Sequence, residues 1–170
     1  YRTVEFLASN LYEIEPDIIT LAKGLGGGVP IGAVMTKHKD VLSPGDHGST
    51  FGGNYLSTAA GSAVLDVLHP MYDNGSIDEI IIYFSTKLQE IAKKYENLFE
   101  KEVGLGLMRG LRAKNAQVQG DILKNSMKER LIVLKAGRNT VRFLPSITIT
   151  KAEIDEGFAR FERALNGVEG

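Results

Sequence analysis

Residues Asp17–Gly28 read D-I-I-T-L-A-K-G-L-G-G-G. Ile18, Ile19, Thr20 and Leu21 are apolar or β-branched and suit a buried strand. Lys23 stands where that strand leaves its sheet. Gly24, Gly26, Gly27 and Gly28 let another group approach the backbone closely and permit turns closed to other residues. Ligands of open α/β sheets bind just beyond the carboxyl ends of strands. A lysine held there against apolar walls loses solvation of its ammonium form and becomes a nucleophile. The same residue also reads as a solvated surface charge, the ordinary state of a lysine. The glycines are not a Walker loop, because the lysine precedes them.

Working outward, Ile31–Thr36 (I-G-A-V-M-T) reads as a second short strand and Lys37–Asp40 as a charged turn. Pro44–Asn54 (P-G-D-H-G-S-T-F-G-G-N) has no aliphatic residue and reads as a loop. Its backbone N–H groups and the adjacent hydroxyls of Ser49 and Thr50 can hold an oxyanion such as phosphate. A flexible surface loop fits the same composition. Leu56–Leu68 reads as a helix with small residues on one face, anchored by Leu56, Val64, Leu65 and Leu68. Asn54 caps it and Pro70 ends it.

From Ser76 the pattern changes. Ser76 and Glu79 form a capping box before a helix to Tyr95. Val103–Leu111 reads as one tightly packing strand, Ala116–Met127 as a helix, and Leu131–Leu134 and Thr140–Leu144 as strands. Thr150 and Glu153 form a second capping box, before a helix carrying Ile154, Phe158, Phe161 and Leu165. These signals describe a small α+β unit, so residues 1–72 and 73–170 are assigned to two domains. Arg142, in T-V-R-F-L, is either an outward charge or a guanidinium aimed at a carboxylate.

The 170 residues are 43% hydrophobic and 24% charged, as in a globular protein. A net charge of −1 gives no reason to expect nucleic acid or a membrane surface as partner. The chain has no cysteine, which removes disulfide and thiolate chemistry. His38, His47 and His69 lack metal-ligand spacing. No apolar run spans a membrane and no signal peptide opens the chain, an expectation of a cytoplasmic protein. The chain starts at Tyr1 without methionine, which suggests a piece of something longer.

P-D-I-I-T-L-A-K-G-L-G-G-G-V-P-I-G-A, then G-D-H-G-S-T-F-G-G-N, then R-F-L-P-S-I-T-I-T-K-A-E-I-D-E-G resembles the class III pyridoxal-phosphate aminotransferases. The resemblance covers essentially the whole chain, in order. It implies the type I pyridoxal-phosphate fold: the end of a large, mostly parallel-sheet domain, then a small C-terminal α+β domain. It implies Lys23 as the Schiff-base lysine and catalytic proton carrier. By the same resemblance, Thr50, with Ser49 beside it, is expected to bind the cofactor phosphate of the neighbouring subunit in a homodimer, and Arg142 to grip the substrate carboxylate. The wording favours N-acetylornithine as amino donor and 2-oxoglutarate as acceptor, a step of arginine biosynthesis. Ornithine, succinyl-diaminopimelate and 4-aminobutyrate are the other donors the family offers. A non-catalytic scaffold paralogue and a glycine-loop nucleotide binder are the competing classes. Family members are considerably longer, and what is missing lies before Tyr1, so the isolated piece is expected to be inactive.

Overall fold

The structure is a computed structural model and describes residues 1–169. The chain forms two units, Ser9–Asn74 and a second comprising residues 1–8 with those from Gly75 onward. The sequence placed the division after residue 72 and kept the first eight residues with the first domain. Those eight instead hold on to the second unit: Leu107 N–H donates to the Arg2 carbonyl at 2.8 Å, and Arg2 Nη1 donates to the Pro145 carbonyl at 2.7 Å. A short helix, α1 (Ala8–Leu11), leads from one unit to the other.

In Ser9–Asn74, strands β1 (Ile18–Ala22) and β2 (Gly32–Thr36) pair antiparallel, with Ile18 opposite Thr36 and Ala22 opposite Gly32. The connection between them is shorter than the dozen or so residues a parallel crossover needs. Every strand ladder among the described residues is antiparallel, so this chain supplies none of the parallel ladders implied for the large domain. Nor is β1 buried as its composition suggests: Ile18 is 51% exposed, and Val34 on β2 63%. A two-stranded sheet has too little cover of its own to seal either face.

Helix α2 (Tyr55–Asp73) starts where expected, Asn54 Oδ1 accepting the Ser57 N–H at 3.0 Å. Pro70 does not end it. Its ring lacks the N–H that would reach the Asp66 carbonyl, yet the helix runs on to Asp73, and Asn74 N–H donates to the Pro70 carbonyl at 3.1 Å. The expected anchors are also displaced: Leu56 and Leu65 are exposed, whereas Ser57 and Gly61 are buried. The helix packs through its small face. A Cβ on Gly61 would stand 3.5 Å from Ile31 Cδ1 and 3.6 Å from the Leu25 carbonyl oxygen, so α2 rests on the glycine turn after β1.

The second unit is a four-stranded sheet in the order β3 (Phe99–Leu105), β4 (Met108–Ala113), β6 (Thr140–Phe143), β5 (Leu134–Ala136). Helices α3 (Ser76–Lys94), α4 (Ala116–Lys128) and α5 (Lys151–Leu165) pack on it. The stretch read as one strand is therefore a hairpin that turns at Gly106 and Leu107. Gly106 has φ +55°, and a Cβ there would lie 2.1 Å from the Arg2 carbonyl oxygen. Strand β5 begins later than expected because Leu131 N–H donates to the Ser126 carbonyl at 2.9 Å, which ties the preceding residues to the end of α4. Gly75, not Ser76, precedes the first turn of α3 and has φ +78°. Ser76 is thus already helical, and Glu79 pairs with Lys151 of α5 instead of closing a box. The second box forms as expected, Thr150 and Glu153 accepting each other's N–H groups. The core joins Ile77, Leu88, Leu111, Ile122, Val141 and Ile154 to rings of Phe84, Phe143, Phe158 and Phe161. Phe143 meets Phe161 edge-on at 5.0 Å, a packing aromatic rings favour.

Candidate functional site

The end of β1 carries the first candidate. Ala22 is extended, and Lys23 opens a 3₁₀ turn, Lys23–Gly26, that Gly27 closes in the left-handed conformation. Lys23 itself has φ +54°. A side chain held in the left-handed region costs about 1–3 kcal/mol and persists where its surroundings over-determine it, commonly at functional sites. Hydrogen bonds fix the turn: Gly27 N–H to the Gly24 carbonyl at 3.2 Å and Val29 N–H to the Gly26 carbonyl at 3.0 Å. Lys23, Gly24, Gly28, Val29, Pro30 and Ile31 line an open cleft of about 520 Å³, within the range of small-molecule sites. Lys23 is exposed, so the apolar walls expected to strip its solvation are not supplied by this unit. Val4, Glu13, Arg130, Arg138 and Asn139 share its positive φ, so what marks Lys23 is that backbone together with the strand end and the glycine-lined cleft.

Ser49 and Thr50 lie in an exposed loop without helix or strand that leads into the cap of α2. Ser49 Oγ accepts the Gly52 N–H at 2.9 Å. That turn needs glycine for space, since a Cβ at 52 would stand 2.8 Å from the same oxygen. The bond leaves the Ser49 hydroxyl hydrogen and the Thr50 hydroxyl directed at no described residue. Both are neutral donors of the kind an oxyanion requires.

Arg142 belongs to the other unit and lies between Gly110 of β4 and Leu134 of β5. Its neighbours on β6, Val141 and Phe143, face the helices, so Arg142 and Thr140 occupy the opposite face. Arg142 is half-buried. Its Nε is sealed from solvent and makes no hydrogen bond. The sequence did not single out Arg112, on β4, which shares this face and whose Nε is equally sealed and unpartnered. The alternation in M-R-G-L-R-A hints at two faces, but only the strand register shows which one Arg112 shares with Arg142. Arg109, on the helix face, has an Nε that likewise makes no hydrogen bond, but it lies 3.0 Å from the Glu102 carboxylate in an ion pair, and its guanidinium also donates to Ser85.

Other features carry less chemistry. A groove of about 380 Å³ in the second unit is walled by Phe84, Leu131–Leu134, Phe143 and Phe158. Its one carboxylate, Glu153, is engaged by Thr150 in the α5 cap. His38 sits 3.1 Å from Asp17, whose carboxyl is held below the usual range by hydrogen bonds from His38 and Lys37. Among the described residues no cluster could hold a metal ion, and no helix is long and apolar enough to cross a membrane.

Known proteins match this arrangement along nearly its full length. The family model for aminotransferase class-III matches residues 1–165. An acetylornithine aminotransferase of Wolinella succinogenes is 54% identical over 99% of this chain, which covers 43% of that relative. A protein of Pseudomonas aeruginosa named succinylornithine transaminase/acetylornithine aminotransferase is 41% identical over 96% of the chain and is covered for 41% of its own length. Among solved structures, N-acetylornithine aminotransferase from Stenotrophomonas maltophilia superposes with a TM-score of 0.81 at 31% identity, over 97% of this chain and 43% of that one. The chain thus spans less than half the length of the relatives it matches. It carries the type I pyridoxal-phosphate transferase fold over that span. With the family model matched from the first residue through the last turn of α5, the chain belongs to the class-III aminotransferase family.

Proposed function

We propose that this chain carries the reactive lysine of a pyridoxal-phosphate-dependent aminotransferase that takes N-acetylornithine as amino donor and 2-oxoglutarate as acceptor, in arginine biosynthesis. The observation that carries the reading is Lys23, held with φ +54° where β1 ends, over an open cleft floored by glycine. The residues present fit the cofactor. The amine is accessible for covalent attachment, and Ser49 and Thr50 offer hydroxyl donors for a phosphate. Pyridoxal phosphate, when bound, supplies the electron sink for charge released at the substrate Cα. Lys23 holds the cofactor and then, as a free amine, carries the proton to and from that Cα. Arg142 binds the substrate carboxylate through its planar fork and so orients the molecule. The Ser49–Thr50 loop serves the partner in a homodimer. Exposed Phe51, Tyr55 and Leu56 around it support a second copy as cover.

Succinylornithine is the second donor, favoured by the double name of the Pseudomonas relative. Borohydride reduction of the full-length protein with pyridoxal phosphate, followed by peptide mass mapping, tests the reading. Cofactor mass fixed on Lys23 is the expected result. No label, or a label on another lysine only, refutes it.

A further inference from the structure

Arg142 lies close to the end of its sheet, where a ladder frays. Leu134 opposite Arg142 is the end pair of β5 and β6. On the β4 side, Phe143 opposite Arg109 is the one pair beyond Gly110 opposite Arg142. Gly110 brings no side chain to its pair, and cross-strand side-chain pairs are what stabilise a ladder. Strand ends of this kind open locally at little cost unless contacts beyond the last pair hold them.

Arg2 supplies such contacts. Its Nη1 donates to the Pro145 carbonyl at 2.7 Å, two residues past the end of β6. Its own carbonyl accepts the Leu107 N–H at 2.8 Å, one residue before β4 begins. Leu107 is fully buried, so that end of the tie is anchored in the core. One half-buried residue thus joins the exit of β6 to the entry of β4. The approach is close: a Cβ on Gly106 would stand 2.9 Å from Thr3 Cα as well as against the Arg2 carbonyl. Val4 follows at φ +86°, an outlier for a β-branched residue. Such a backbone persists where its surroundings over-determine it.

We propose that Arg2 is a positioning residue for Arg142, clamping β4 and β6 beyond their last pair and so fixing where the Arg142 guanidinium points. The proposal rests on the aminotransferase reading given above, with Arg142 as carboxylate grip. Arg2 acts through β6 and meets neither substrate nor cofactor in this role.

The test measures 2-oxoglutarate kinetics in the full-length holoenzyme. Arg2→Met keeps the apolar stem and removes the donor. It is expected to raise the acceptor KM about three- to tenfold, the worth of one hydrogen bond passed on to the grip. The kcat is expected to stay within about twofold, and borohydride still labels Lys23. Arg2→Lys retains a cation but not the planar fork and is expected to fall between the two, at about two- to threefold. It carries the test should the methionine variant not fold. Asn115→Ala is the control for a merely structural role. It removes the α4 cap, in which Asn115 Oδ1 accepts the Val118 N–H at 2.9 Å, and so lowers stability elsewhere in the same unit. The acceptor KM of Asn115→Ala is expected to match the wild type. An unchanged KM in the folded Arg2 variants, or an equal rise in Asn115→Ala, overturns the proposal. Lys23 labelling with an unchanged KM removes the role of Arg2 alone. Failure of the labelling in the unsubstituted protein removes the aminotransferase reading and this role with it.

Discussion

Gly110→Ala adds one methyl group at the point where β4 and β6 pass beside Arg142. The backbone there is ordinary, since Gly110 is not among the glycines with positive φ, so the effect is one of space. The new Cβ would stand 2.5 Å from Thr140 Cγ2, 3.0 Å from the Val141 carbonyl oxygen and 3.5 Å from Val103 Cγ2. Thr140 cannot swing away freely. It is buried, and its carbonyl accepts a 2.8 Å hydrogen bond from Gln119 Nε2. The strands must therefore part. Overpacking of this kind costs about 1–3 kcal/mol, and alanine returns about 0.4–1 kcal/mol by restricting the unfolded chain. A net loss of about 1–2 kcal/mol is expected from urea unfolding of the full-length protein.

Gly120→Ala is the matched control. Gly120 is exposed within α4, and a Cβ there has no atom within 4 Å. Helix propensity alone then acts and stabilises by about 0.5–1 kcal/mol. One and the same chemical change thus takes opposite signs at two glycines. The functional readout separates them as well. Parting β4 from β6 moves Arg142, and misplacement by about 1 Å costs up to about 10²-fold in rate. Gly110→Ala is expected to lower kcat/KM at least tenfold, with Gly120→Ala at the wild-type value. A Gly110→Ala protein of unchanged midpoint and unchanged kcat/KM refutes the close approach on which this reasoning depends.

Three further outcomes are expected. Lys23→Gly relieves the left-handed side chain and raises the stability of cofactor-free protein by about 1 kcal/mol while abolishing the borohydride label; a less stable variant contradicts the strained backbone. Phe161→Ala removes a fully buried ring stacked on Phe99 and edge-on to Phe143 and costs about 3–5 kcal/mol, read as a lower unfolding midpoint. Hydrogen bonds from the Thr150 backbone and hydroxyl hold the Glu153 carboxyl below its ordinary range. Its contribution is therefore complete above the unfolded-state value of about 4.3 and disappears as pH falls through the lower folded value. Glu153→Gln should flatten the loss of stability below about pH 4.3, with the neutral-pH difference fading in acid; parallel curves down to pH 2 would contradict the box.

What the sequence showed reliably were features whose physics is local. Asn54 and Thr150 announce their helices because a cap needs only residues three apart. The helical period of Phe84, Leu88 and Ile91, and of Ile154, Phe158 and Phe161, marks faces that are in fact buried. Ile18, Leu56 and Leu65 were misjudged because hydropathy states what a side chain would gain by burial, not whether a cover exists. Ser76 was misplaced because the choice between Ser76 and Gly75 as the residue before the helix turns on a positive φ that composition does not display. The merged β3–β4 hairpin has a similar cause. Glycine alternating with leucine carries no face, and the turn at Gly106 is set by contact with Arg2, more than a hundred residues distant along the chain.

The site divides along the same line. Lys23 stands out in the letters by its position after a strand and before glycines, whereas its left-handed backbone has no signature in K-G-L-G. Arg142 posed a choice between an outward charge and a carboxylate grip, and alternation in T-V-R-F-L cannot decide it, because both put the arginine opposite Val141 and Phe143. Burial decides. An arginine turned to solvent keeps its Nε in water, and water then satisfies it at little cost. Here Thr140 on the same face is buried, and the Nε atoms of Arg142 and Arg112 meet neither water nor an acceptor. Arg109, on the other face with Leu111, has the Glu102 carboxylate 3.0 Å from its Nε. Arg142 and Arg112 lie diagonally on one face of the sheet, each with an Nε that neither solvent nor an acceptor reaches, whereas Arg109 on the other face has that carboxylate beside it.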